Sequence, residues 1–357
     1  MPRLELSRFA RVEFPPPSYL SLPTAGIDIS ASGIKMVLLK ERLHGLELVA
    51  YAEERLPDGA VTGGEISDKE KVCDILSSLA KKYRFRLANI ALSESRGYLF
   101  EADLPGLTSS ELRTAAEQRI DEYVPLPPAE VVFDIAPLSI NAEGTHVVGV
   151  GYAHRVVDEL LEVLDASAIR VRAMEGETFA LARALLPHGD TETALIIDIG
   201  RTTTKLMVVT NRMPRYTTTL DIGGHALTLA VQKYFGVSEE EAKKVKAEKG
   251  LIGGDGADEY VAAMLSTVSA VREEIARRLQ FWQDRGSEKV SRAILVGGNA
   301  TVRGLPEYLE ASLKIPVELG DVFTNLAPRS EWLPPIDYMQ SLAYGTAVGL
   351  ALREYVP

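Results

Sequence analysis

The chain has 357 residues, 46% of them hydrophobic and 25% charged, a globular composition with core enough for about two domains. A net charge of −11 argues against nonspecific nucleic-acid binding, which needs a basic surface to neutralise phosphates. Cys73 is the only cysteine, so neither an internal disulfide nor a cysteine-built zinc site is available, and no apolar run approaches the ~20 residues that span a bilayer. With no signal-peptide core at the start, these features predict a cytosolic protein.

Residues 1–23 read as a tail, ending in Pro15-Pro16-Pro17 and Pro23, with Arg3, Arg8 and Arg11 among apolar residues. Such a tail contacts a membrane or partner, or more simply lies on its own domain. Two strands flank the turn at Ser30-Ala31-Ser32-Gly33, and Glu47 to Leu56 forms a third. Ser67 with Glu70 has the capping-box spacing for a helix over 68–83. Asn89 to Leu92 and Tyr98 to Leu104 follow as strands. Thr108 with Glu111 opens a helix to about Tyr123, which Pro125, Pro127 and Pro128 stop. Strands at Val131 to Leu138 and His146 to Ala153, a helix at Val156 to Ala166 and a strand near Val171 complete an α-β-β-α-β block over 105–173. That block has no counterpart in the second half.

Helix 177–187 leads into strands at Leu195 to Ile199, Leu206 to Val209 and Arg215 to Leu220. Helix 226–235 follows Gly223-Gly224, and Ser238 with Glu241 caps a helix to Lys249. Gly250 to Gly256 is a glycine-rich loop. The longest helix, 258–284, places Leu265, Val268, Val271, Ile275, Leu279 and Trp282 at helical spacing, as core. Strand Ala293 to Val296, helix Leu305 to Leu313, strand Val317 to Leu319 and a last helix, Met339 to Tyr355, end the pattern.

One phrase occurs twice. Asp28-Ile29-Ser30-Ala31-Ser32-Gly33-Ile34-Lys35 and Asp198-Ile199-Gly200-Arg201-Thr202-Thr203-Thr204-Lys205 each read as apolar strand, Asp-Ile, small polar turn and Lys opening a second strand. The offset is 170 residues at both Asp and Lys. Small residues in a tight turn let backbone N–H groups converge on phosphate oxygens. Hydroxyls of Ser32, Thr202 and Thr203 add donors, and Asp28 and Asp198 are placed to orient the water shell of magnesium. A single copy is as readily an ordinary hairpin; the repeat predicts two related halves facing one cleft. Gly297-Gly298-Asn299, after a buried strand, would let backbone approach a ring or sugar closely.

The two Asp-Ile turns, Gly223-Gly224 and Gly297-Gly298-Asn299 occur in the order used by the actin, sugar-kinase and Hsp70-like ATPases. Within that superfamily the chain resembles the PilM family, the actin-like cytoplasmic proteins of type IV pilus assembly. The resemblance runs from Gly26 to Arg353. It rests on Gly26 to Lys35, Thr108 to Pro128, Ala180 to Arg183, Ile197 to Gly200, Gly223 to Thr228, Glu241 to Lys246, Gly297 to Asn299 with Gly304-Leu305, and Gly349 to Arg353.

The resemblance implies an α/β fold of duplicated ribonuclease-H-like domains around a nucleotide cleft, with an FtsA-type inserted subdomain. The first domain would take residues 24–104 and 174–190, the insert 105–173, and the second domain 191–357 with its upper part at about 225–290. It implies ATP and Mg2+ as ligands. Ser30, Ser32, Gly33, Lys35, Gly200, Thr202, Thr203, Lys205, Gly223, Gly224, Glu241, Lys246, Gly297, Gly298 and Asn299 would bind nucleotide. Asp28 and Asp198 would hold magnesium through water, and Asp198, arranging water around that ion, is the candidate catalytic residue in a slow or absent hydrolysis. Ser30 stands where the family usually has Gly, and Lys243 where many relatives carry an acid for the ribose, which leaves Glu241 or nearby backbone to substitute.

The implied partner is the N-terminal cytoplasmic segment of a PilN-like membrane protein, held in a groove between the first domain and the insert. The membrane is reached only through that partner, alongside other pilus components and possible self-association. An FtsA-like division protein is the second reading. A small-molecule kinase, with Asp103 or Asp134 as base, is a distant third.

Overall fold

The computed structural model describes residues 23–105, 108–140, 144–252, 258–285 and 288–356. The tail, part of the glycine-rich loop and Gly106 of the expected insert junction lie outside the described residues. The strands are β1 Thr24–Ser30, β2 Gly33–Arg42, β3 Gly45–Arg55, β4 Val61–Thr62, β5 Glu65–Ile66, β6 Leu87–Leu92, β7 Gly97–Leu104, β8 Val131–Ile140, β9 Thr145–Ala153 and β10 Arg170–Gly176. The second half adds β11 Thr193–Ile199, β12 Thr204–Thr210, β13 Met213–Leu220, β14 Arg292–Val296 and β15 Val317–Leu319.

The two halves repeat one sheet. The first runs β10-β6-β1-β2-β3 and the second β15-β14-β11-β12-β13. In each, the Asp-Ile strand is antiparallel to its hairpin partner and parallel to the strand on its other side. Such parallel neighbours require crossover connections. The first half crosses over through helix Lys69–Tyr83. Asp68 caps that helix, its Oδ1 accepting from Lys71 N at 3.0 Å, one residue later than the expected Ser67 cap. The capping boxes of Thr108 with Glu111 and Ser238 with Glu241 are both formed.

Each sheet buries both faces. Helices Lys69–Tyr83 and His154–Ala166 cover the outer face of the first, through Val72, Leu76, Leu79, Leu160, Val163 and Leu164. The outer face of the second packs on helices 224–235, 258–284 and 305–313; on the long helix, Tyr260 and Met264 are fully buried while Leu265 is half-buried. Between the sheets run helices Glu177–Leu185 and Gly345–Leu352. They touch backbone to backbone, because a Cβ on Gly349 would overlap Ala180. The expected last helix over 339–355 is therefore two pieces, Tyr338–Ser341 and Gly345–Leu352, joined by a 3-10 turn where Leu342 O accepts from Gly297 N at 3.0 Å.

Strand pairing divides the middle of the chain differently from the expected boundaries of 105 and 173. β7 pairs with β9 in a separate sheet ordered β7-β9-β8, whose core holds Phe100, Leu112, Ile120, Val131 and Phe133. β10 pairs in parallel with β6 and so belongs to the first sheet. By pairing, the additional unit spans Gly97 to Ala153.

Candidate functional site

The two repeated hairpins converge on one cleft of about 230 Å3. Their registers match: Asp28 lies opposite Lys35, and Asp198 opposite Lys205. The first turn is tight, with Ser30 paired to Gly33. Ser30 Oγ donates to Gly33 O at 3.2 Å and meets Ser32 Oγ at 3.0 Å; Lys35 Nζ donates to Ser32 Oγ at 3.3 Å. The second turn is longer and closed by Gly200 N donating to Thr203 O at 2.9 Å. Thr204 Oγ1 donates to Ile222 O at 2.7 Å behind it.

Of the residues singled out in the sequence, Asp28, Ser30, Ser32, Lys35, Asp198, Gly200, Thr202, Thr203, Lys205, Gly297, Gly298 and Asn299 line the cleft. The other five stand elsewhere. Gly33 lies under β3, where a Cβ would overlap Glu54 O. Gly223 and Gly224 press on the backbone of Arg201 and Thr202 and on the Asn299 side chain. Lys246 Nζ is buried, donating to Gly224 O (3.1 Å), Thr228 Oγ1 (3.0 Å) and Asn299 Oδ1 (2.9 Å), and burial pulls its pKa down to about 8. Asn299 Nδ2 in turn donates to Gly200 O at 2.9 Å. These groups form a scaffold that fixes the second turn from behind. Glu241 is exposed and committed to its cap, accepting from Ser238 Oγ at 2.7 Å, while Lys243 pairs with Glu239 and Glu240.

The glycine pair after β14 does two things. Gly297 has φ +95°, and a Cβ there would meet Ile199 O and the Asp198 carboxylate. Gly298 has only Ala343 Cβ near its own missing Cβ, at 3.7 Å, so its face is open toward the cleft.

Several groups escaped sequence reasoning. Glu177, at the start of the helix after β10, lines the cleft and accepts from Lys205 Nζ. An acid at the first helical position directly after a parallel strand was its signal, since crevices form at the carboxyl ends of such strands. Glu94 is buried and accepts from Thr178 Oγ1 and, across the halves, from Thr217 Oγ1. Arg201 reaches Asp58 at 2.6 Å, and Arg215 Nη2 reaches Glu101 at 2.8 Å.

Electrostatically the cleft floor is tense. Burial pushes Asp28 up to about 6, opposed by Lys35. Burial also raises Asp198 and Glu94. For Lys205, burial works to lower the pKa, but Glu177, Asp198 and Asp28 outweigh it and the ammonium is held above its ordinary value. Carboxylates at two strand ends beside donor-rich turns suit a magnesium ion that keeps most of its waters. Among the described residues no three acidic, His or Cys side chains cluster closely enough to hold a metal unaided.

Duplicated sheets, paired turns and a glycine strand end around one cleft define an actin-like protein. Solved structures agree on the fold. The chain is similar to the protein of a PilM-PilN type IV pilus biogenesis complex, with TM-score 0.78 and 24% identity over 94% of this chain and 99% of that one. It is also similar to the ethanolamine utilization protein EutJ from Carboxydothermus hydrogenoformans (0.57, 16%, 98% of both chains). MreB5 of Spiroplasma citri bound to ADP matches at 0.54 and 12%, over 91% and 95%. The family described as type IV pilus assembly protein PilM matches residues 26–355. The chain belongs to the PilM family. No helix among the described residues is long and apolar enough to cross a membrane.

Proposed function

We propose that the cleft binds ATP with magnesium, and that the bound nucleotide sets how the chain grips the N-terminal cytoplasmic segment of a PilN-like membrane protein in pilus assembly. One observation carries the nucleotide reading: two hairpins in identical register bring Asp28, Lys35, Asp198 and Lys205 to a single cleft whose far side is Gly297-Gly298. Backbone N–H groups and the Ser32, Thr202 and Thr203 hydroxyls would hold phosphate oxygens, and the lysines would offset their charge. Magnesium, held through water by Asp28 and Asp198, would neutralise the phosphates further. Adenosine would lie over Gly298, beside Leu342, Ala343 and Thr346.

Asp28 is buried, Asp198 is half-buried and would be taken up by the water shell of magnesium, and Glu177 is paired with Lys205, so no carboxylate of this set stands free to activate water. Turnover well below the ordinary ~1–10³ s⁻¹ fits that arrangement. A binding switch, with the chain reaching the inner membrane through its partner, suits it better than a metabolic kinase. Calorimetry with ATP and magnesium tests the reading; an absence of binding by the parent chain defeats it.

The peptide reading leans on family membership and on the additional sheet. β7 and β8 each pair on one side only within that sheet, and an extended peptide gains main-chain hydrogen bonds at such an edge. A photo-crosslinkable peptide of the partner's N-terminus should label residues in 97–153 or the adjoining first domain. Labelling confined to helices 224–284 would move the groove elsewhere.

A further inference from the structure

The two hairpins carry lysines at the same register position, yet the two ammonium groups go to different places. Lys35 stays with its own turn and rim, donating to Ser32 Oγ and lying 3.7 Å from the half-exposed Glu53. Lys205 instead crosses to the first half and donates to Glu177 Oε2, with side chains only 16% and 6% exposed. Asp28 and Asp198 line the same cleft, and their charges, like that of Glu177, act on Lys205. Three carboxylates from three elements therefore share the cleft with two ammonium groups, of which that of Lys205 alone crosses to the other half.

Without the Lys205 ammonium, the buried Asp28 and Glu177 and the half-buried Asp198 would be offset by Lys35 alone, and the surplus negative charge would repel a polyphosphate. In related chemistry a divalent ion offsets such charge, but here it would have to bind mainly through water and the phosphates. A lysine tethered in a poorly hydrated site is a permanent point charge with three donors, and Coulomb attraction there is far stronger than in water. Its Nζ can keep one bond to Glu177 and still offer donors to phosphate oxygen.

Building on the nucleotide reading of the cleft, we propose that Lys205 is a built-in cation: carried on Glu177, its ammonium faces the phosphates, so nucleotide affinity depends only weakly on magnesium. Calorimetric titration of the full chain with ATP, in excess magnesium and in excess EDTA, tests this. The parent should change affinity by less than about threefold on chelation, whereas Lys205→Met should lose at least about tenfold in EDTA and regain most of it with magnesium. Because Met leaves three acids facing each other, the double variant Lys205→Met/Glu177→Gln removes one of those charges and should show the same new magnesium dependence. A parent that loses tenfold on chelation, or variants that respond to magnesium no more than the parent, overturns the proposal while the nucleotide reading stands. A parent that binds no ATP in either condition sinks both.

Discussion

The two Asp-Ile turns share one sequence phrase and one strand register but are supported in opposite ways. The first is held from within, by Ser30 and Ser32 bonding to each other and to Gly33 O and Lys35. The second is held from behind, by Asn299 and Gly224 on Gly200 O, with Lys246 buried beneath them. A turn stiffened by its own hydroxyls needs little from its surroundings. A turn pinned by distant residues has its geometry set by the packing of the whole half, and changes there should reach it.

Breaking the second turn itself should have the largest effect. Gly200→Val puts a branched side chain 3.1 Å from Thr203 O and toward the phosphates, and should weaken ATP binding by at least about a hundredfold. Ser30→Gly, at the matching position of the first turn, should change affinity by less than about threefold. Comparable losses from the two changes would erase the asymmetry. Next come the strand ends. Gly297→Ala forces a Cβ onto Ile199 O at positive φ and should cost about 2 kcal/mol in urea unfolding. Ser93, which follows the equivalent strand β6, should tolerate Ala to within about 0.5 kcal/mol.

Lys246→Met strands three acceptors behind the second turn, two of them on Gly224 and Asn299, the residues that bond Gly200 O, and should cost about 1–2 kcal/mol in thermal unfolding. An unchanged melting temperature would show the scaffold to be idle. The smallest effect is a pH dependence of the first turn. Asp28, at about 6, is a carboxylate above that pH and takes up a proton below it, losing the charge that on the proposed reading would orient metal-bound water. Affinity for magnesium-ATP should therefore fall, by no more than the roughly threefold that magnesium itself contributes, as pH drops through 6 or slightly lower, since metal binding favours the carboxylate. Asp28→Asn should flatten that bend; a bend of the same size in the variant assigns the proton elsewhere.

Local patterns were legible along the chain. Both hairpin registers, the capping boxes at Thr108 and Ser238, and the bounds of Leu305–Leu313 and Val317–Leu319 follow from alternation and end signals. Nonlocal pairing was not. Nothing within Gly97–Leu104 says that it pairs with β9, or within Arg170–Gly176 that it pairs with β6, because a strand's partner is chosen by the packing of both. In the cleft the same limit applies. Gly223, Gly224 and Lys246 have the residue types of a phosphate site but stand behind the second turn, outside the cleft lining, while Glu177, an acid at the first helical position after a parallel strand, reaches the cleft only once the helix is placed.

The helix Gly345–Leu352 is buried along its whole length, and a Cβ on Gly26, in β1, would overlap its Ala347 and Ala351 backbone. Asn89 Nδ2 donates to Leu350 O at 2.9 Å, and Arg183 Nη1 to Gly349 O at 3.0 Å. The earliest described strand is thus sealed by the last described helix. On the ribosome the first half emerges with that apolar face bare and must wait for nearly all the rest of the chain. Native closure therefore rests on contacts of very large sequence separation, which cost the most loop-closure entropy before they form.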